Sequence, residues 1–132
     1  MTDYLGLHEL PHRRIRALCY TEARMPKVFY NAMVLREPYS GVEVTVHQLA
    51  CALAQFGSLP TCACVPAGHR AIPATPHLRL HTTCAAVSRS RLLRILWEQT
   101  AIPLLLLRTR ASLLHAPAYV APLLAPCPVI LT

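Results

Sequence analysis

Hydrophobic positions along this chain fall into five short runs separated by two longer periodic stretches. Lys27 to Leu35 (KVFYNAMVL) is almost continuously apolar, and Val28, Phe29, Tyr30 and Val34 supply β-branched or aromatic bulk. That is the pattern of a strand covered on both faces, as in a parallel sheet. Arg36 to Gly41 follows with Pro38, Ser40 and Gly41, which predict a turn that lets another group approach the backbone closely. From Val42 the apolar residues recur at three- and four-residue steps, through Val46, Leu49, Leu53 and Phe56, and predict a helix with one core-facing stripe that stops at Gly57.

The rest of the chain continues the alternation. Leu59 to Val65 predicts a second strand beginning near Pro60, and residues 66–76, with three prolines and a glycine, predict a loop. His77 to Cys84 alternates, with Leu78, Leu80 and Thr82 on one face and Arg79 and His81 on the other, as in a strand near a sheet edge. Val87 to Arg110 predicts a helix capped by Ser88, with Leu92, Ile95, Leu96 and Gln99 in its apolar stripe. Pro103 predicts a bend or division near Thr100 and a second helical piece from Ile102 to about Arg108. Ser112 to His115 reads as a short buried strand, Ala116 to Pro126 as a loop or brief helix at the carboxyl edge of the sheet, and Val129 to Leu131 as the start of another strand. Strands alternating with helices predict an α/β fold, a Rossmann-like parallel sheet flanked by helices. Residues 1–24 keep no apolar period and read as an extension, with the domain over residues 25–132.

Composition narrows the classes. A length of 132 residues suits one domain. With 54% hydrophobic and 14% charged residues, the chain needs either a sheet buried on both faces or a surface that meets a partner. The net charge of +7, from twelve arginines and one lysine against six acids, favours anionic partners. Nucleic acid is not expected, because no basic run is interleaved with stacking aromatics and no recognition signature occurs. Residues 111–132 carry no formal charge, yet Pro117, Pro122, Pro126 and Pro128 argue against a membrane span. The six cysteines sit in apolar segments with no secretory signal before them and read as reduced, buried thiols. Cys62 and Cys64 would share one face of a strand, but with His69 they match no usual zinc spacing, so no metal site is expected.

Candidate chemistry is concentrated where the first strand meets the first helix. The opening amides of that helix form a potential anion site at Ser40, Gly41 and Val42, although one glycine is not a dinucleotide fingerprint and a tight turn alone explains the same residues. The arginine-rich segment from Arg89 to Arg94 admits two readings, packing on the sheet with solvated arginines or contact with an anionic bilayer, and packing is the simpler.

With these elements in place, residues 27–132 resemble the amino-terminal half of a retaining, family 4 type of glycosyltransferase, whose members have two Rossmann-like domains facing across a cleft (the GT-B fold). The likeness rests on Tyr39-Ser40-Gly41-Val42 after the first strand, the helix from Val42 to Phe56 ending at Gly57, Trp97-Glu98-Gln99 leading into Ile102-Pro103-Leu104, Leu113-Leu114-His115-Ala116-Pro117-Ala118-Tyr119, and Pro128-Val129-Ile130-Leu131-Thr132. In the family that last strand leads directly into a His-Asp pair.

The resemblance implies an acceptor-side domain. Its glycine loop, Ser40, Gly41 and Val42, would lie near the phosphates of a nucleoside diphosphate sugar, and His115 and Tyr119 would line the same cleft. For His115 a partly buried imidazole capping a strand end is an equal reading. The implied reaction moves a sugar from the nucleotide to a hydroxyl of a carbohydrate or lipid-linked acceptor, with charge developing on the departing diphosphate. The His-Asp turn and the carboxyl-terminal donor-binding domain with its paired glutamates are not among these residues, so no catalytic residue is assigned and the chain is expected to be inactive without a donor-binding domain, on a longer or a second chain. The implied compartment is the cytoplasm, with room for a peripheral contact at the inner face of the membrane. The alternative is a non-enzymatic Rossmann-like interaction module that binds a protein partner or an anionic membrane surface.

Overall fold

The computed structural model describes residues 26–132; the expected extension over residues 1–24 and its boundary at Met25 lie outside them. The described chain runs β1 (Val28–Asn31), α1 (Gly41–Phe56), β2 (Thr61–Val65), β3 (Leu78–Thr82), α2 (Ala85–Arg89), α3 (Arg91–Thr109), β4 (Leu113–Ala116) and β5 (Val129–Leu131). The strands form one sheet in the order β3-β2-β1-β4-β5, and every neighbouring pair is parallel. The architecture is the expected Rossmann-like α/β sheet with helices on both faces, and the alternating strand read at His77 to Cys84 lies at one edge.

Alternation along β1 sends successive side chains to opposite layers. Tyr30 packs under α1 with Val46, Ala50, Ala54, Ala63, Val65 and Leu78. Phe29, on the other face, packs under α3 with Cys64, Ile102, Leu106 and Leu114. Both rings are completely buried, and the Tyr30 hydroxyl donates to the Val46 carbonyl at 3.0 Å, which satisfies that polar atom within the layer.

Several local expectations about the helices differ from the structure. In α1 the buried line is Val46, Ala50 and Ala54, flanked by Leu49 and Leu53, whereas Val42 is partly exposed and Phe56 is 77% exposed. The two alanines let the helix approach the sheet closely, so the stripe turns toward them and away from the larger residues at its ends. The second difference is α3, which is continuous through Pro103. Proline forgoes one intrahelical hydrogen bond, but Ile102 and Leu106 on either side of it are fully buried, and that burial holds the helix together. Its cap is also displaced: the Ser90 hydroxyl accepts from the Leu93 amide, while Ser88 lies inside the short α2.

The third difference concerns which face of α3 is buried. Glu98, Ile102 and Leu106 turn inward, and the expected stripe is turned outward, with Leu92 79% and Leu96 60% exposed. Leu104 and Leu107 are exposed on the same helix. At its far end α3 closes on Arg110, whose φ of 52° is left-handed and whose amide donates back to the carbonyls of Leu106 and Leu107. For a residue with a Cβ this conformation costs about 1–2 kcal/mol, which is why glycine is the usual occupant. Gly57 at the end of α1 is required for another reason, since a Cβ there would collide with the Leu53 carbonyl oxygen.

The two faces of α3 predict different mutational costs. Ile102→Ala is expected to lose about 2–5 kcal/mol of stability in chemical denaturation, and Leu92→Ala to stay within about 0.5 kcal/mol of the parent. Equal losses would show that the leucine face is buried in solution.

Candidate functional site

In an open parallel sheet, ligands bind beyond the carboxyl ends of the strands where the chain reverses its direction of winding. Here that reversal lies between β1 and β4: the chain leaves β1 through α1 toward β2 and β3, then returns through α3 to β4 on the other side. The loops following β1 and β4 therefore border the crevice.

The loop after β1 runs from Ala32 to Ser40 and is fastened at several points. The Ala32 amide donates to the Cys64 carbonyl at 2.9 Å and continues the β1–β2 ladder, and the Asn31 side-chain oxygen accepts from the Met33 amide at 3.2 Å. Ala32, Met33 and Leu35 are buried, so the apolar run read as one long strand is a four-residue strand followed by a buried turn. Further along, the Arg36 guanidinium donates to the Ser88 carbonyl at 2.7 Å, and the Ser88 hydroxyl accepts from the Ala67 amide at 2.8 Å and lies 3.3 Å from the Thr83 hydroxyl. Ser88 thus ties together the loops that leave β1, β2 and β3.

Tyr39, just before the glycine turn, belongs to a cluster of rings. Its centroid lies 5.3 Å from that of His47 on α1 and 6.3 Å from that of His69 in the loop after β2, and its hydroxyl is 3.4 Å from His69 Nδ1. The His47 and His69 rings stand 6.0 Å apart, and the Cys51 thiol lies 3.6 Å from His47 Nε2. Burial and the neighbouring His47 hold the His69 pKa below its ordinary value, despite the opposing pull of Glu37. Burial also raises the Tyr39 hydroxyl, with Glu37 and Cys51 adding to it.

Ser40 is the N-cap of α1, and the first-turn Glu43 carboxylate accepts from both its amide, at 3.2 Å, and its hydroxyl. The Ser40 hydroxyl, joined by the Glu43 and Ser40 amides, keeps that carboxyl below the usual carboxylate range. Glu43 therefore occupies part of the anion-binding capacity of the helix start. The amides of Gly41 and Val42 have no acceptor within the helix, and a Cβ on Gly41 would meet nothing within 4 Å, so the approach to this turn is open.

Across the crevice, His115 pairs with Tyr30 in the β1–β4 register, and the two rings meet edge to face with centroids 5.4 Å apart. His115 Nε2 is 3.1 Å from the Thr132 hydroxyl, and burial lowers the imidazole pKa. Tyr119 is elsewhere: its side chain is 77% exposed, its φ is 59°, and it has no hydrogen bond or ring partner among the described residues. The segment between Tyr119 and β5 is an irregular loop held by Gln99, which donates to the Ala121 carbonyl at 3.1 Å and accepts from the Leu123 amide at 2.9 Å.

A buried polar group that the sequence reading placed only within a motif lies beneath this edge. Glu98 on α3 is 4% exposed, and among the described residues one of its carboxyl oxygens has no hydrogen-bond partner; the Nε of Arg94, one turn earlier, is also buried and has no partner among them. Burial raises the Glu98 pKa, while the Arg94 charge and the Asn31 amide pull it down. Asn31 and Glu98 were signalled only as polar residues interrupting apolar runs, and the His47–Tyr39–His69 cluster joins three segments that no spacing rule connects.

Cys62 and Cys64 do share a face, the one under α3, whereas His69 lies with Tyr39 and His47. Among the described residues no three His, Cys, Asp or Glu side chains could hold a metal ion. Cys51, Cys62, Cys64, Cys84 and Cys127 are free thiols, and Cys19 lies outside the described residues; of the thiols expected to be buried only Cys64 is fully so, Cys51, Cys62 and Cys127 are half-buried, and Cys84 is exposed because it caps α2 at the surface instead of lying within β3. Comparison with protein-family models, with curated proteins and with solved structures found no match.

Glu98 sets a pH dependence. Its folded pKa is raised, so the native state binds this proton more tightly than the unfolded chain and stability falls as pH rises from the ordinary carboxylate range through the raised value. Measured by denaturation across that window, the parent is expected to lose stability relative to Glu98→Gln as pH increases. A difference between the two proteins that is constant with pH would show that Glu98 titrates as an exposed carboxyl does.

Proposed function

We propose that this chain is the acceptor-side, Rossmann-like domain of a glycosyltransferase that moves a sugar from a nucleoside diphosphate sugar to a hydroxyl of a carbohydrate or lipid-linked acceptor. The observation that carries the reading is the crevice at the β1/β4 reversal, with the open Gly41–Val42 amides on one side and His115 on the other. A helix start with free amides suits the oxygens of a diphosphate, and a half-buried imidazole whose pKa burial holds below its ordinary value suits a hydrogen bond with an acceptor hydroxyl. Glu43 competes with the phosphate for the helix start, and that competition fits a domain whose main ligand is the neutral acceptor. Most donor contacts belong to a second domain, on a longer or a separate chain. The residues proposed to contact ligand are Ser40, Gly41, Val42 and His115, with Tyr119 as an exposed contact at the rim.

Titration of the isotopically labelled 132-residue protein with nucleoside diphosphate hexoses and with simple alkyl hexosides tests this. The donors are expected to shift the amide resonances of Gly41 and Val42, and the hexosides the ring resonances of His115. Millimolar ligand of both kinds that leaves all these resonances in place would overturn the proposal.

The exposed leucines of α3 favour a second reading, docking on a protein partner or an anionic membrane. Leu92, Leu96, Leu104 and Leu107 lie between the exposed arginines Arg89 and Arg91 at one end and Arg108 and Arg110 at the other. Leucines entering the acyl boundary with arginines at headgroup level is the arrangement of an interfacial helix. Among the described residues no helix is long and apolar enough to cross a membrane. On this reading the protein co-sediments with vesicles rich in anionic phospholipid, and Leu92→Ser with Leu96→Ser abolishes it; unchanged sedimentation of that variant would count against docking through α3.

A further inference from the structure

The opposite end of the sheet holds a groove that the proposed function does not use. It has a volume of about 710 Å³ and opens where β1, β2 and β3 begin and α3 ends. Five cationic or protonatable side chains line it, Lys27, His77, Arg79, Arg108 and Arg110, and among the described residues none that lines it is acidic. Cys62 lies among them; burial raises its thiol pKa, and Arg79 acts in the opposite sense.

Helix-dipole stabilisation accounts for only part of this set. Arg108 and Arg110 stand at the carboxyl end of α3, where positive charge is favoured. Lys27, His77 and Arg79 come from the starts of β1 and β3, and no helix end explains their convergence on the same space. Arg110 also holds a left-handed position where glycine would close the helix without strain. A strained arginine in a groove that already gathers like charges points to a ligand that repays both. The volume is that of a small-molecule site, and guanidinium groups match the paired oxygens of phosphate.

We infer that this amino-edge groove binds a condensed phosphate group, a short phosphoanhydride chain either free or carried on a nucleoside. Arg79, in β3, and Arg110, just after α3, come from different segments and both line the groove, with Lys27 and Arg108 adding charge. The site is separate from the crevice at the carboxyl ends of the strands, so it stands or falls independently of sugar transfer.

The test uses the full 132-residue chain and inorganic tripolyphosphate, followed by calorimetry and by the amide resonances of Cys62, Arg79 and Ala111. Saturable binding is expected, with shifts at those three amides and none at Gly41. Removing either guanidinium, by Arg79→Gln or Arg110→Gly, should weaken it about tenfold, as loss of one charge-assisted hydrogen bond does. Arg110→Gly also relieves the left-handed strain, so its thermal midpoint should rise while its affinity falls, which separates loss of a ligand contact from loss of folding. A nucleoside triphosphate that binds more tightly than tripolyphosphate would assign the chain to a nucleotide, and the reverse order to a free polyphosphate. Equal responses to tripolyphosphate and to sulfate at matched ionic strength, or affinity unchanged in both variants, would overturn the site.

Discussion

The structure depends on one constraint, that β1 lies at the centre of a parallel sheet and must be covered on both faces. Its two aromatic neighbours, Phe29 and Tyr30, point into opposite layers and are completely buried, so neither α1 nor α3 can be lost without exposing one of them. The chain has to travel to one side through α1 and return to the other through α3. That winding creates the reversal between β1 and β4, and the crevice is its geometric consequence. The buried hydroxyl of Tyr30 joins core to site, because the ring that packs under α1 is also the one His115 rests against.

Much of this architecture was legible in the sequence. The apolar run at Lys27 to Leu35, the alternation at His77 to Cys84 and the helical period after Gly41 each depend on local patterning, and each contains its element, although both strands are shorter than the runs that marked them. Facing directions were harder to read. In α3 the leucines outnumber the residues that turn inward, and periodicity alone assigns the larger apolar stripe to the core. The sheet instead takes Ile102 and Leu106, which continue a line through Glu98, because α3 must also bring its end onto Arg110 and β4. The persistence of α3 through Pro103 has the same origin, since a propensity rule is local and the burial that overrides it is tertiary.

The placement of the candidate residues was legible in part. Ser40, Gly41 and Val42 lie at the helix start as read, and His115 lies at the end of its strand. Tyr119 does not join them, because the turn after β4 adopts a left-handed conformation that points its ring to solvent. The role of Ser88 could not be read from sequence. A serine at a helix start is ordinarily a cap, but this one bridges three loops whose approach is set by the register of three strands. The same holds for Glu43. As a capping-box residue it is expected from sequence rules, yet its effect here is to put a carboxylate against the amides that a phosphate would seek.

A parallel sheet has two chemically different ends, and this chain exaggerates the difference. The three acids of the described region, Glu37, Glu43 and Glu98, belong to the loop after β1, the first turn of α1 and the part of α3 beside Asn31. All therefore cluster at the carboxyl ends of the strands, intermixed with Arg36 and Arg94. The opposite end gathers Lys27, Arg79, Arg108 and Arg110, with no acid among the described residues that line their groove. Mixed charge at one end suits a ligand held by a few directed hydrogen bonds, because opposite signs cancel at a distance and leave only short-range geometry to discriminate. Uniform charge at the other end acts over about a Debye length and favours multiply charged ligands over singly charged ones. Substitutions in α1 or in the loop after β1 should thus alter what the first edge recognises, while the charge of the second edge is set by where α3 stops and β3 begins.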